Sequence, residues 1–333
     1  MPSLPQPMND EDLDIASLGG HTMGTTWQVK LAVARTRDLH PLHAGIQAQL
    51  DAIVAQMSTW EADSDIARFN RASAGEWQVL PPLFDTVMQC ALEIAQRSGG
   101  AFDPTVGPLV ALWGFGAQAQ ARRIPDADTL AATRARCGWE RLQWQPGRLL
   151  QPGGLALDLS AIAKGFGVDQ VSAWLRQNGV HAALVEVGGE LHGFGHKPDG
   201  QPWRVLVESA PEEDAQATYP PRVLALTDRA VATSGDRWHH FEQSGEQFSH
   251  TLDPRIGAPV TRAAAAVTVV ADSAMQADAW ATALTVMGRD EGMAFARTHA
   301  LAARFVGRGA HGSEESMSPA FEQLLADDRV GAA

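Results

Sequence analysis

Apolar residues recur along this chain at two spacings, and the changes between them mark out the elements. The run Trp27–Val33 alternates apolar and polar positions and predicts a strand. Behind Pro41, which suits a first helical turn, Leu42, Ile46, Leu50, Ile53, Val54 and Met57 recur every three or four residues and predict a helix. A second helix is predicted from about Leu83 to Arg97, with Phe84, Val87, Met88, Ala91, Leu92 and Ala95 on one face and Gly99-Gly100 ending it. Leu155–Leu159 reads as a short apolar strand leading into a helix from about Ala161 to Gln177, capped by Asn178-Gly179. Strands then dominate: Ala183–Val187, Trp203–Val207, Val223–Leu226, Ala230–Thr233 and Ala266–Val270. A last helix opens at Asp272-Ser273, a good N-cap, and runs to Met287-Gly288. Helices and strands are interspersed without a βαβ rhythm, which predicts an α+β fold of mixed or antiparallel sheets packed against helices.

The ends lack this patterning. Residues 1–17 are acidic, Pro-containing and aperiodic and are expected to be a disordered tail; residues 311–333 are expected to be peripheral, with one short helix near Phe321–Leu325. Residues 18–310 contain no linker or repeat and are read as one catalytic unit. Gly116 to Pro125 reads as a mobile polar segment.

Composition narrows the function. The chain has 333 residues, long enough to bury a core without a metal or disulfide staple, and its net charge of −13 argues against nucleic acid or an anionic membrane surface as partner. Cys90 and Cys137 form no CxxC pair; one disulfide or two reduced thiols both remain open, the thiols being the simpler reading. No window approaches the ~18 apolar residues of a membrane span. Residues 1–20 have no basic or apolar leader, so the chain as it reads is expected to be cytoplasmic, or periplasmic if an export signal has been removed. Each end carries a net −4, which leaves −5 for residues 21–310.

Common catalytic fingerprints are absent: no GxGxxG with its third glycine, no GxxxxGK[ST], no HExxH, no GxSxG and no SxxK. Four other segments are dense in chemistry. In Gly100-Ala-Phe-Asp-Pro-Thr-Val-Gly-Pro-Leu109, paired prolines and glycines fix a loop around Asp103, which serves either a ligand or an ordinary Asp-Pro turn. In Leu157-Asp-Leu-Ser-Ala-Ile-Ala-Lys-Gly-Phe-Gly167, Asp158 and Ser160 precede a helix start and Lys164 lies one turn in, an arrangement suited to an anion or to a plain N-cap with an exposed lysine. Phe248-Ser-His-Thr-Leu-Asp-Pro-Arg-Ile-Gly257 carries His250 and Asp253 three apart, and a histidine beside a phosphate site is a candidate general base. In Asp272-Ser-Ala-Met-Gln-Ala-Asp-Ala-Trp-Ala-Thr-Ala-Leu284, Asp278 and Thr282 stack on one helix face, hard oxygen donors for Mg²⁺ or merely a solvated acid above a small packing residue.

Taken in order, Met23-Gly-Thr-Thr-Trp27, Met57-Ser-Thr-Trp60, Ala101-Phe-Asp-Pro-Thr-Val-Gly-Pro-Leu109, the Asp158–Lys164 segment, Val185-Glu-Val-Gly-Gly-Glu190, Ala232-Thr-Ser-Gly-Asp236, the His250 segment and the Asp278 segment resemble the ApbE family of FAD:protein FMN transferases, over about residues 20 to 305. The resemblance implies an enzyme that takes FAD as substrate and Mg²⁺ as cofactor. It would move FMN onto a threonine hydroxyl of an acceptor flavoprotein through a phosphoester bond, with release of AMP. It implies FAD contacts at Met23, Trp60, Ala101, Phe102, Asp103, Asp158, Lys164 and Leu252. It also implies metal ligands at Ala161 (through its carbonyl), Asp278 and Thr282, and a catalytic role for His250. Trp60 and Phe166 stand where relatives often carry Tyr, and no lipobox cysteine is present. The implied acceptor carries a Ser/Asp-Gly-x-Thr-x-Thr-like motif. Two alternatives share the site: FAD pyrophosphatase activity giving FMN and AMP, and, in another class, non-catalytic flavin binding or storage. Of the ten tryptophans, only Trp60 has a motif reason to touch flavin, with Trp113 a weaker second candidate.

Overall fold

The structure, a computed structural model, describes residues 13–117, 119, 124–207, 222–235, 240–243, 246–260, 266–309 and 312–330. Among these, eight strands form one antiparallel sheet: β1 (Leu13–Thr22), β2 (Thr25–Ala34), β3 (Ala183–Val187), β4 (Glu190–Phe194), β5 (Arg229–Ser234), β6 (Ala266–Ala271), β7 (Ala302–Gly309) and β8 (Gly312–Met317). Their spatial order is their chain order, so the sheet is a meander into which the helices are inserted as long excursions. The expected α+β class stands.

The helices are α1 (His40–Met57), α2 (Asp65–Arg71), α3 (Pro82–Arg97), α4 (Gly107–Leu112), α5 (Ala127–Arg134), α6 (Ala163–Gln177), α7 (Ala274–Thr298) and α8 (Pro319–Val330). One sheet face packs on α1, α6 and α7: Val185, Val187 and Ala230 meet Leu42, Ile46, Leu50, Val168 and Leu175 at one end, while Val267, Val269 and Phe305 meet Leu284 and Ala296 at the other. The opposite face, through Val231 and Val270, is covered by the hairpin of Trp203–Val207 and Arg222–Leu226 and by Phe321 of α8. The core is therefore three layers deep, and the site opens where α6 and α7 meet the hairpin turns at one end of the sheet.

Several expectations need correction. The tail predicted to reach residue 17 ends sooner, because Leu13–Ser17 pair with Lys30–Ala34 as part of β1, while residues 1–12 lie outside the described set. The strand was hidden by Gly19-Gly20, and Gly20 is there to admit an indole: a Cβ on it would lie 2.6 Å from Trp27 Nε1, which donates to Gln47 Oε1. At the other end, Gly312–Met317 completes the sheet and Phe321 is fully buried, so the segment expected to be peripheral closes the third layer.

Leu155–Leu159 is not a strand. Its leucines are buried, but side chains and a loop hold its backbone: Asn70 brackets Leu157 through N–H (2.7 Å) and C=O (3.0 Å), the Gln151 amide donates to the Leu155 carbonyl (3.1 Å), the Asp158 N–H donates to the Pro104 carbonyl (2.9 Å), and one parallel bridge joins Ala156 to Val106. Beyond Met287 the last helix breaks at Gly288, whose φ of 73° only glycine adopts freely, and then resumes to Thr298. The segment from Gly116 to Pro125 lies partly outside the described residues. Both cysteines are free thiols.

Candidate functional site

Two tight hairpin turns lie side by side at the mouth of the sheet. Met23 (φ 48°) and Gly24 (φ 72°) join β1 to β2; Gly188 (φ 59°) and Gly189 (φ 101°) join β3 to β4. Left-handed conformation at both central residues is what a two-residue hairpin with right-twisted strands requires, and at Met23 it costs about 1 kcal/mol that glycine would not incur. A Cβ on Gly188 would lie 2.8 Å from Thr25 Cγ2 and 3.1 Å from Lys164 Cδ, so the glycine lets the two turns and Lys164 close on one another.

Helix α6 begins at Ala163, two residues later than its sequence predicts, after a turn in which Asp158 Oδ1 accepts the Ser160 N–H (2.9 Å). The N–H of Gly165 would normally close the first turn onto the Ala161 carbonyl. It donates instead to Asp278 Oδ2 at 3.0 Å, which leaves the Ala161 carbonyl without that bond. Helix α7 is set against α6 from the other side. Asp169 of α6 accepts the N–H groups of Ala274 and Met275, at 2.8 and 2.9 Å, and Ser273 caps Gln276. Asp278 and Thr282 follow one and two turns into α7.

Burial raises the pKa of Asp278, while Lys164 and the Gly165 N–H oppose the shift. Lys164, half-buried between two acids, is drawn down by desolvation but held above its ordinary value by Asp278 and Glu190, and its ammonium is ion-paired to Glu190 Oε1. Glu190 is raised by burial and by Asp278, with Lys164 pulling the other way. Asp169 is pushed up to about 6 by burial, against the pull of the N–H groups it caps.

These elements wall a cavity of about 580 Å³. Eleven of the twelve residues implied by sequence resemblance line it: Met23, Ala101, Phe102, Asp103, Asp158, Ala161, Lys164, His250, Leu252, Asp278 and Thr282. The twelfth, Trp60, is 72% exposed and does not lie on the cavity wall. Asp103 is mostly occupied with its own loop: Oδ1 accepts Thr105 N (2.8 Å) and Oγ1 (2.7 Å), and Oδ2 accepts Trp139 N (3.2 Å). Asp253, paired with His250 by spacing, turns to Arg255 instead and is not a lining residue. Trp113 is buried with its indole N–H on the Gly257 carbonyl (2.9 Å), and its neighbour Phe115 faces the cavity, edge-on to His250 with ring centres 6.4 Å apart.

The lining combines two chemistries. Phe102, Val106, Val110, Phe115 and Leu252 offer apolar surface suited to a planar ring system. Asp158, Lys164, Glu190 and Asp278 supply the charged groups. The Asp278 carboxylate, the Thr282 hydroxyl and the Ala161 carbonyl are hard oxygen donors, which fits a small divalent cation rather than zinc. Among the described residues no group of three or more His, Cys, Asp and Glu gathers to hold a metal, and this donor set contains only one such side chain.

Residues missed by sequence reasoning are Glu190, Phe115 and the Thr233-Ser234 pair. Glu190 carried a signal: a carboxylate directly after a Gly-Gly turn, in register with core-facing Val187. Phe115 carried none, since Trp113 two residues earlier has the same apolar character.

The sequence profile of the ApbE family matches residues 23–305. The FAD:protein FMN transferase of Klebsiella pneumoniae (strain 342) is 36% identical over 94% of this chain and 90% of its own. Among solved structures, the flavinyl transferase ApbE of Pseudomonas stutzeri in its apo form superposes with a TM-score of 0.87 at 37% identity, covering 94% of this chain and 97% of that one. The flavin transferase ApbE from Vibrio cholerae gives 0.86 at 36% identity, covering 94% and 100%. With the family profile, the fold and the ordered site segments in agreement, the chain belongs to the ApbE family.

Proposed function

We propose that this chain is a Mg²⁺-dependent FAD:protein FMN transferase that moves FMN onto a threonine hydroxyl of an acceptor flavoprotein and releases AMP. The observation that carries the reading is the convergence of eleven residues implied by the resemblance, drawn from turns, loops and two helices, on one cavity lined by both apolar and acidic side chains. The names of the relatives support FAD and FMN as its chemistry.

FAD would lay its ring against Phe102, Phe115 and Leu252 and its pyrophosphate toward Lys164 and Asp278. The threonine Oγ attacks the FMN phosphorus, the bond from that phosphorus to the AMP oxygen breaks, and the hydroxyl proton passes to an imidazole nitrogen of His250. General base assistance of this kind is typically worth 10²–10⁴-fold. Asp278, Thr282 and the Ala161 carbonyl would hold Mg²⁺, which would supply charge neutralisation for the pyrophosphate and the leaving group. The pairing of Lys164 with Glu190 supports this role, since among the described residues it leaves little positive charge on the cavity lining for a phosphate. The acceptor is inferred to carry a Ser/Asp-Gly-x-Thr-x-Thr-like motif.

The test is incubation with FAD, Mg²⁺ and an acceptor bearing that motif, followed by in-gel flavin fluorescence and assay of free AMP. Labelled acceptor with AMP is expected. FMN and AMP without labelling would make the chain an FAD pyrophosphatase, and neither product would make it a flavin-binding or storage protein.

A further inference from the structure

Glu190 stands at the first position of β4, and its side chain is only 3% exposed. The Gly188-Gly189 turn brings it under Lys164, whose ammonium takes Oε1. Its second oxygen, Oε2, is buried and has no hydrogen-bond partner among the described residues, although the residue lines the cavity. A buried carboxylate oxygen without a donor is unusual in a native fold and calls for a group that arrives later.

The chemistry of that group is narrow. A phosphate oxygen would be repelled, as would any carbonyl of a flavin ring, because both bring lone pairs to lone pairs. Among the described residues, Lys164 is the one lysine or arginine that lines the cavity. With the Mg²⁺ assigned to Asp278, Thr282 and the Ala161 carbonyl, we take the group to be a neutral donor, and an aliphatic hydroxyl supplies one.

We propose that Glu190 is a substrate-contacting residue: Oε1 fixes Lys164, and Oε2 accepts a hydrogen bond from a hydroxyl of the cavity's occupant. The proposal rests on the flavin transferase reading. Its source is the sugar-alcohol portion of the flavin nucleotide, because the single proton of the acceptor's threonine hydroxyl is the one that passes to His250. Glu190 thus orients a group near the reacting phosphorus while keeping Lys164 in place.

The decisive variant is Glu190→Gln, whose amide oxygen still receives Lys164 while its NH₂ puts a donor where an acceptor stood. Dissociation constants for FAD, FMN and AMP are measured by flavin fluorescence and competition without acceptor, and KM for the acceptor is measured in the transfer assay. The flavin source predicts at least tenfold weaker FAD and FMN binding, with AMP and the acceptor KM unchanged. A higher acceptor KM with all nucleotide affinities unchanged would overturn the proposal. The proposal is overturned if every one of these constants stays within twofold of wild type, or if only melting temperature and kcat fall. Should Glu190→Gln fold poorly, Glu190→Asp is read the same way, because it keeps the charge and withdraws the oxygens. Failure of the wild-type chain itself to bind FAD would instead remove the transferase reading, before Glu190 is judged.

Discussion

Gly165 and Asp278 are joined by one hydrogen bond, from the backbone N–H of α6 to the carboxylate of α7, at 3.0 Å. A Cβ on Gly165 would lie 2.2 Å from the Ala274 carbonyl oxygen and 2.9 Å from Asp278 Cβ. The absence of a side chain thus sets the distance between the two helices, orients the carboxylate and frees the Ala161 carbonyl. Asp169 answers from α6 by capping α7, so each helix holds the other's polar end.

Gly165→Ala is therefore expected to do more than overpack. Overpacking typically costs 1–3 kcal/mol. The variant should also lose transfer activity by at least a hundredfold, because the contact that has to give is the one that aims Asp278. Thermal denaturation with a Mg²⁺ titration of activity checks both, and a wild-type Mg²⁺ midpoint in the variant would refute the link.

Asp278→Ala should abolish Mg²⁺-dependent transfer, leaving at most about 1% of the wild-type rate, since a metal-assisted charge clamp is worth several kcal/mol. In wild type, FAD affinity measured in EDTA should be clearly weaker than in Mg²⁺, given that Lys164 is committed to Glu190. Equal affinity in the two buffers would disprove the metal's part in binding.

Trp60 offers a clean separation of binding from folding. At 72% exposure its removal should leave stability within about 0.5 kcal/mol of wild type. If the ring covers bound flavin, Trp60→Ala should weaken FAD by roughly 2- to 12-fold, the range of an aromatic stacking contact. Unchanged affinity would remove Trp60 from the site.

Two buried groups should give opposing acid responses. Asp169 is pushed up to about 6, above an ordinary aspartate, so its contribution is fully present below the ordinary carboxylate value and is lost as pH rises through 6. His192 is buried with its Nδ1 2.9 Å from Ser172 Oγ, and burial holds it down to about 4. Its contribution is present above the ordinary histidine value and is lost as pH falls from about 6.5 through 4. Melting curves between pH 7.5 and 4 should show His192→Gln losing less stability on acidification than wild type, and Asp169→Asn losing more. Asp169→Asn should in addition be about 1 kcal/mol less stable at pH 7.5, because an amide offers one acceptor to two N–H groups.

Much of this site was legible because its residues are local to short segments. Asp278 and Thr282 share a face by helical period alone, and the α7 cap at Ser273 and the strands Ala183–Val187 and Trp203–Val207 fall where their patterns put them. Patterning failed where a residue's reason lay elsewhere in the chain. Gly20 looks like a strand breaker until Trp27 is seen to need its space. Leu155–Leu159 has the burial of a strand, yet Leu157 hydrogen-bonds to Asn70, 87 positions away.

By itself, then, the sequence determined the class of fold, the order of the site segments and the types of donor available, since these follow from period, capping and residue chemistry along a continuous stretch. Only the tertiary structure decided how those donors are used. It turned the Gly165 N–H away from Ala161, paired Lys164 with Glu190, set Phe115 rather than Trp113 on the cavity wall and occupied Asp103 with its own loop. Each outcome depends on which distant group desolvates or hydrogen-bonds a side chain, a quantity fixed by packing across the α6–α7 contact and the hairpin turns and carried by no local pattern.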